Sequence, residues 1–175
     1  ALTNVAQGIR GTVNQVVEQK QKKELPFEKG IDYAPLRDML KAGKWQEADR
    51  ETWRLLCLVM GRRKEDDLRR EDIQKLLCTD LRTIDDLWVE YSNGRFGFSV
   101  QKEIYLAMGN PLDGKYHRGT FERFCARVGW QLRRTWVSYF DVIDLCSPKG
   151  HLPTIGSGGK YWVEILFSRA ESCEL

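Results

Sequence analysis

Apolar residues recur at three- and four-residue intervals along most of the chain, which is the spacing of helices that each bury one face. Leu36, Met39 and Leu40 mark a short helix opened by Asp32 and ending near Gly43. Trp45, Ala48, Thr52, Leu55, Leu56 and Val59 line one side of a helix over residues 45–60. Ile73, Leu76 and Leu77 predict a shorter helix over 71–77, and Thr83 with Asp86 reads as a capping box opening a helix that carries Leu87, Trp88 and Tyr91. Ser99 is placed to cap a helix over 100–108, stopped by Gly109 and Pro111. Thr120 opens another, whose buried stripe is Phe121, Phe124, Cys125 and Val128. Residues 137–145 have the composition of a strand, but a short helix or an extended crossover fits their helical surroundings better. The pattern predicts an all-α fold, a compact single-domain helical bundle with long loops around a hydrophobic cleft.

The ends read differently from the middle. Leu2, Val5, Ile9, Val13, Val16 and Val17 recur at helical spacing among Gln and Lys, which fits a narrow docking helix or a frayed tail. Pro26 and Gly30 make a connector. The organisation expected is an N-terminal helix and connector over 1–30, a helical ligand-binding domain over 31–153, and a tail over 154–175. That tail is glycine-rich at first, then apolar enough over 161–169 to fold back.

At 175 residues with 42% hydrophobic content, the chain can bury one sizeable core. No apolar run approaches the length of a membrane span, so a soluble globular protein is expected. The net charge of +3 is spread along the chain, which permits an anionic ligand without the concentrated basic patch of a nucleic-acid tracker. Five cysteines, with no CxxC pair, give little support to a zinc site. Reduced thiols are expected rather than a disulfide framework, with Cys57 and Cys125 as small buried hydrophobes.

The most distinctive stretch is residues 85–105, DDLWVEYSNGRFGFSVQKEIY. A helix breaks at Ser92-Asn93-Gly94, passes through Arg95-Phe96-Gly97-Phe98 and restarts. Phe96 and Phe98 suit either a ring-shaped apolar ligand or the core. The EADRET carboxylates over 47–52 read as solvent-facing helix charges. Arg62 either offsets a helix end or stands at a pocket rim. Trp130 and Trp136 bracket Arg133 and Arg134, an arrangement open to cation–π stacking or to a nucleic-acid platform. His151, in its Gly-His-Leu-Pro setting, is expected to bond the backbone in a sharp turn rather than ligate a metal. No catalytic triad, phosphate loop or metal box emerges.

The ordered set LWVEYSNGRFGFSVQ, Val128-Gly129-Trp130, Trp136 and Gly150-His151-Leu152-Pro153, with Trp45 to Thr52 upstream, resembles the genomes-uncoupled-four family. These are porphyrin-binding regulators of magnesium chelatase, and the likeness spans residues 33–153. It implies a non-enzymatic protein that binds protoporphyrin IX and Mg-protoporphyrin IX and needs no other cofactor. It would stimulate the chelatase through its large porphyrin-handling subunit, with a role in tetrapyrrole-linked signalling. A chloroplast or a cyanobacterial cytoplasm is the implied compartment, with peripheral membrane contact and no nucleic acid expected.

A flat apolar macrocycle bearing two propionates needs an aromatic cleft with cations at one edge. The expected wall is Phe96, Phe98, Trp130, Trp136 and Tyr139, and the expected cations are Arg62, Arg95, Arg133 and Lys160. Arg95, Phe96, Phe98, Trp130 and Trp136 rest on the resemblance, while the other four rest on chemistry. The polar loop over 110–119 reads as a lid or contact surface. Rival readings are an RNA-binding helical module using Trp130, Arg133, Arg134 and Trp136, and a ligand-free adaptor whose aromatics are all core.

Overall fold

The structure is a computed structural model that describes residues 30–62, 69–132, 135–136, 144–154 and 162–175, with only the backbone for Leu132, Thr135 and Trp136. The described residues form seven helices: α1 (Ala34–Lys41), α2 (Trp45–Val59), α3 (Arg70–Gln74), α4 (Cys78–Tyr91), α5 (Phe98–Ala107), α6 (Arg118–Arg127) and α7 (Val163–Ser172). Gln131–Leu132 and Thr135–Trp136 add a two-residue antiparallel ladder, β1 with β2, that turns the chain without making a sheet layer. The fold is all-α, as the periodicity predicts. Residues 1–29, and with them the expected N-terminal helix, lie outside the described residues.

One half of the bundle sets α1 against α2 and α4, and the other sets α5 against α6 and α7, with α3 packed on α7. Each half has an aromatic centre. Trp45 stacks on Trp88 at 6.2 Å, and Phe96 meets both edge-on at 5.7 and 6.3 Å. In the other half Tyr105 and Phe167 meet edge-on at 5.1 Å, and Phe124 contacts both. Edge-to-face rings align the positive rim of one with the negative face of the next, which adds direction to plain burial. The buried tips also find partners: Trp88 Nε1 donates to Thr52 Oγ1 at 2.9 Å, and Tyr33 OH donates to Asp80 Oδ1 at 2.7 Å.

Several expected helix starts are displaced, and one cap comes from a different helix. Helix α4 begins at Cys78, so Thr83 lies inside it and bonds the Thr79 carbonyl rather than capping. Helix α5 begins at Phe98, and its first turn is capped by Asp85 of α4, whose Oδ1 accepts the Ser99 amide at 2.9 Å. Helix α6 begins at Arg118, which leaves Thr120 within its first turn. The short third helix starts at Arg70, where the Asp72 carboxylate reaches back to the Arg69 amide at 2.8 Å. Asp32 does accept the Ala34 amide at the start of α1.

The turn between α4 and α5 shows why glycine stands at position 97. Its φ of +136° with ψ of 161° is open essentially to glycine alone. A Cβ there would lie 2.8 Å from Asp85 Oδ1 and 2.9 Å from Val89 Cγ2. Glycine therefore lets α5 close on the carboxylate that caps it. Ser92 Oγ supports the same turn by accepting the amides of Arg95 and Phe96.

The C-terminal segment is part of the bundle. Val163, Ile165, Leu166, Phe167 and Ala170 of α7 are buried. The expectation of five reduced thiols fails, because Cys78 and Cys173 form a disulfide across a separation of 95 residues. Only tertiary approach brings them together. Cys57 and Cys125 are buried thiols, as their apolar settings predict, and Cys146 is an exposed thiol.

Candidate functional site

A connector over residues 144–154 is fastened to two helices, α2 and α5, and to the turn before α5, and Trp130 stands beside it. Gln101 on α5 donates its amide to the carbonyls of Gly150 and Pro153, at 2.9 and 2.7 Å. Asp49 on α2 accepts both the Thr154 amide and its hydroxyl, and Trp53 Nε1 donates to the Thr154 carbonyl at 2.6 Å. The turn before α5 adds Gly97 N donating to the Leu152 carbonyl and Gly150 N donating to the Arg95 carbonyl. Asp49 is fully buried and Glu51 nearly so, which corrects their reading as solvent-facing charges. Glu51 is held by two bonds from Arg54, both at 2.7 Å.

Trp130 follows α6 and is half-buried. Its indole Nε1 donates to the His151 carbonyl at 2.7 Å, and Phe124 meets its ring edge-on at 5.4 Å and 87°. His151 in turn donates from Nδ1 to the Val128 carbonyl at 2.9 Å, the backbone role expected from its turn. Burial holds the imidazole below its ordinary pKa, so the neutral ring is favoured. The result is a fixed indole immediately before β1.

Arg95 lies half-buried across the same connector. Its Nε and Nη2 donate to the Ser147 carbonyl at 3.0 and 2.6 Å, so the guanidinium here clamps backbone. Arg62 forms a two-point pair with Asp72, both bonds at 2.9 Å, and holds that carboxyl below its usual range. Of the four expected cations, Arg62 and Arg95 are thus engaged within the protein.

Phe96 and Phe98, expected as cleft wall, are 0% and 1% exposed. Phe96 spends its ring on Trp45 and Trp88, and Phe98 is enclosed in the same core. They position the α4–α5 turn rather than offer a surface. Arg133, Tyr139 and Lys160 lie outside the described residues, and of Trp136 only the backbone is described, paired with Gln131. Trp130 is therefore the candidate whose side chain stands half-open beside the connector. Asp49, Trp53 and Gln101, which position that connector, were missed. Their partners lie about 50 to 100 residues away in sequence, and no local signal marks them.

The loop after α5 carries a second polar cluster. Asn110 Nδ2 donates to the Tyr105 carbonyl, and His117 Nε2 lies 3.1 Å from Asp113. Glu164 at the start of α7 is 2% exposed, and burial raises its carboxyl to about 7. Among the described residues no group of three His, Cys, Asp or Glu side chains is arranged to hold a metal ion, and no helix is long and apolar enough to cross a membrane.

A GUN4-like family model matches residues 26–169. A Ycf53-like protein of Synechocystis sp. is 30% identical over 166 residues, covering 89% of this chain and 67% of its own length. The tetrapyrrole-binding protein of Arabidopsis thaliana chloroplasts is 33% identical over 131 residues, covering 67% of this chain and 46% of its own. The chain thus spans about half to two thirds of the length of these relatives. Among solved structures, GUN4 from Chlamydomonas reinhardtii superposes with a TM-score of 0.68 at 31% identity, over 83% of this chain and 93% of that one. Ligand-free GUN4 of Arabidopsis thaliana gives 0.62 at 27%, over 81% and 94%. The family model covers most of the chain and the helical fold superposes on solved GUN4 structures, so the chain belongs to the GUN4-like family.

Proposed function

We propose that this chain binds protoporphyrin IX and Mg-protoporphyrin IX and stimulates magnesium chelatase, acting as a regulator rather than a catalyst. The observation that carries the reading is Trp130, an indole braced by Phe124 and by the His151 carbonyl while its ring remains half-open. A prearranged ring costs little order on binding, so stacking and apolar burial go into affinity. Family membership and the Arabidopsis relative, named for tetrapyrrole binding, support the same ligand class.

In this proposal Trp130, Trp136 and Tyr139 offer the macrocycle its apolar surface, and Arg133 and Lys160 meet the propionates. Arg95 holds the Ser147 side of the connector in place rather than touching ligand. The proposed partner is the large porphyrin-handling chelatase subunit, reached through reversible delivery of substrate or removal of product. The compartment is a chloroplast or a cyanobacterial cytoplasm, in keeping with the sources of the relatives.

The test is a titration of tryptophan fluorescence with a water-soluble porphyrin, alone and as its magnesium form. Saturable quenching is expected, and Trp130→Ala should weaken binding by about 30-fold, the ordinary loss for a central aromatic anchor of about 2 kcal/mol. Arg133→Ala should weaken it less, with a modest salt dependence. Quenching that never saturates, or equal affinity in Trp130→Ala, would overturn the proposal. Binding that instead falls steeply with salt and favours single-stranded RNA would point to a nucleic-acid surface.

A further inference from the structure

The Cys78–Cys173 disulfide plays no part in the proposed porphyrin contacts, and its position suggests what it controls. Cys78 is the first residue of α4, and Cys173 closes α7. Ala170 and Cys173 are buried at this end of α7, and polar ties add to that packing. Lys102 Nζ donates to Glu171 and to the Leu175 carbonyl, Arg82 to the Cys173 carbonyl, and Arg169 Nε to the Leu76 carbonyl at 2.8 Å. The side chains of Glu171 and Arg82 are about half exposed, at 56% and 49%, so water competes for these bonds. The covalent bond, unlike the ties of Glu171 and Arg82, is not weakened by solvent.

A row of rings leads from that helix to the candidate site. Phe167 of α7 packs edge-on against Phe124 at 5.7 Å, and Phe124 packs edge-on against Trp130 at 5.4 Å. Packed side chains pass a displacement on because the interior has no slack. The other end of α7 joins, through residues 155–161, to Thr154, which Asp49 and Trp53 hold. Helix α7 thus adjoins the ligand-proposed surface both through packing and along the chain.

We propose that Cys78–Cys173 is a reducible tether: a dithiol opens it, the last turn of α7 loosens, and the Trp130 face binds porphyrin less tightly. The loosening stands on the disulfide alone, while the affinity change rests on the porphyrin reading above. In the reaction a thiolate of the dithiol attacks Cys78, whose residue is partly exposed whereas Cys173 is 1% exposed. The Cys–Cys bond breaks, Cys173 leaves with the electron pair and takes a proton, and a mixed disulfide joins Cys78 to the reductant. The second thiol of the dithiol resolves it, releasing the Cys78 thiolate, which is then protonated. Two electrons have passed to the protein, and the reductant has become a cyclic disulfide.

The experiment uses the full chain, oxidised or treated with dithiothreitol, beside a Cys78→Ser/Cys173→Ser double variant and a Cys146→Ser variant. Peptide mapping without reductant should recover the Cys78–Cys173 pair. Amide exchange over residues 169–173 should quicken by about tenfold on reduction while the centre of α2 stays protected. Affinity for the soluble porphyrin should fall by about three- to tenfold, within the range that coupled packing transmits. The double variant should match the reduced chain with or without dithiothreitol, and Cys146→Ser should respond like the parent. Failure to recover the linked peptide, or exchange over 169–173 that ignores reduction, would overturn the tether. A response retained in the double variant would overturn it too, by assigning the effect to another thiol. Faster exchange with unchanged affinity would overturn the coupling to Trp130. Absence of porphyrin binding in both redox states would instead refute the porphyrin reading, and the exchange result would still decide the tether.

Discussion

Replacing Glu164 with Gln should make the protein more stable at neutral and alkaline pH. Glu164 is 2% exposed in the first turn of α7, and its Oε1 has no hydrogen-bond partner among the described residues. Burial is the largest influence and raises the carboxyl from 4.5 to about 7. Its own amide, Arg70 and His117 pull the other way, and Asp113 adds to the rise. Tyr105 lies close enough that the Glu164 charge helps push its hydroxyl upward, although burial is the main cause. The folded state therefore holds a proton that the unfolded state has released. Stability must fall as pH rises between 4.5 and about 7, and level off above that window. A rise from 4.5 to about 7 corresponds to at most about 3 kcal/mol at pH 8. Gln keeps the shape and removes the ionisation. Urea unfolding followed by tryptophan fluorescence should show parent and variant alike near pH 5 and separated by about 2–3 kcal/mol at pH 8, roughly 4–10 °C in Tm for a chain of this size. Parallel stability curves across this range would refute the assignment of a buried, proton-retaining Glu164.

Other substitutions separate core from site. Gly97→Ala should cost about 2–4 kcal/mol in thermal or urea unfolding, because the new Cβ meets Asp85 and the backbone occupies a glycine-only region. Phe96→Ala should cost about 3–5 kcal/mol by emptying the space beside the Trp45–Trp88 stack, and any loss of porphyrin affinity should track the unfolded fraction. Arg62→Ala, by contrast, should leave porphyrin affinity unchanged in the quenching titration, because this guanidinium is paired with Asp72. It should also move the acid limb of stability, since a carboxyl held low by Arg62 contributes stability that is lost as pH falls through its folded value.

The helical bundle was legible because apolar spacing records which face of each helix must leave water, and Gly, Pro and Asp mark where several helices begin or end. Thr83, Ser99 and Thr120 look like caps when only neighbours in sequence are considered, yet Asp85 supplies the cap of α5 from a different helix. Asp49 looks like a surface charge until Thr154, 105 residues on, is brought against it.

By itself the sequence determined an all-helical chain, the break before Phe98, the turn at His151 and the aromatic-basic series beginning at Trp130, all of which arise from local spacing and side-chain chemistry. Tertiary structure alone decided that Phe96 and Phe98 are core, that Arg62 and Arg95 are engaged within the protein, and that Cys78 meets Cys173. The physical reason is that a ring, a guanidinium or a thiol has the same chemistry against a ligand as against its own protein. Only the approach of segments distant in sequence determines which of the two it meets.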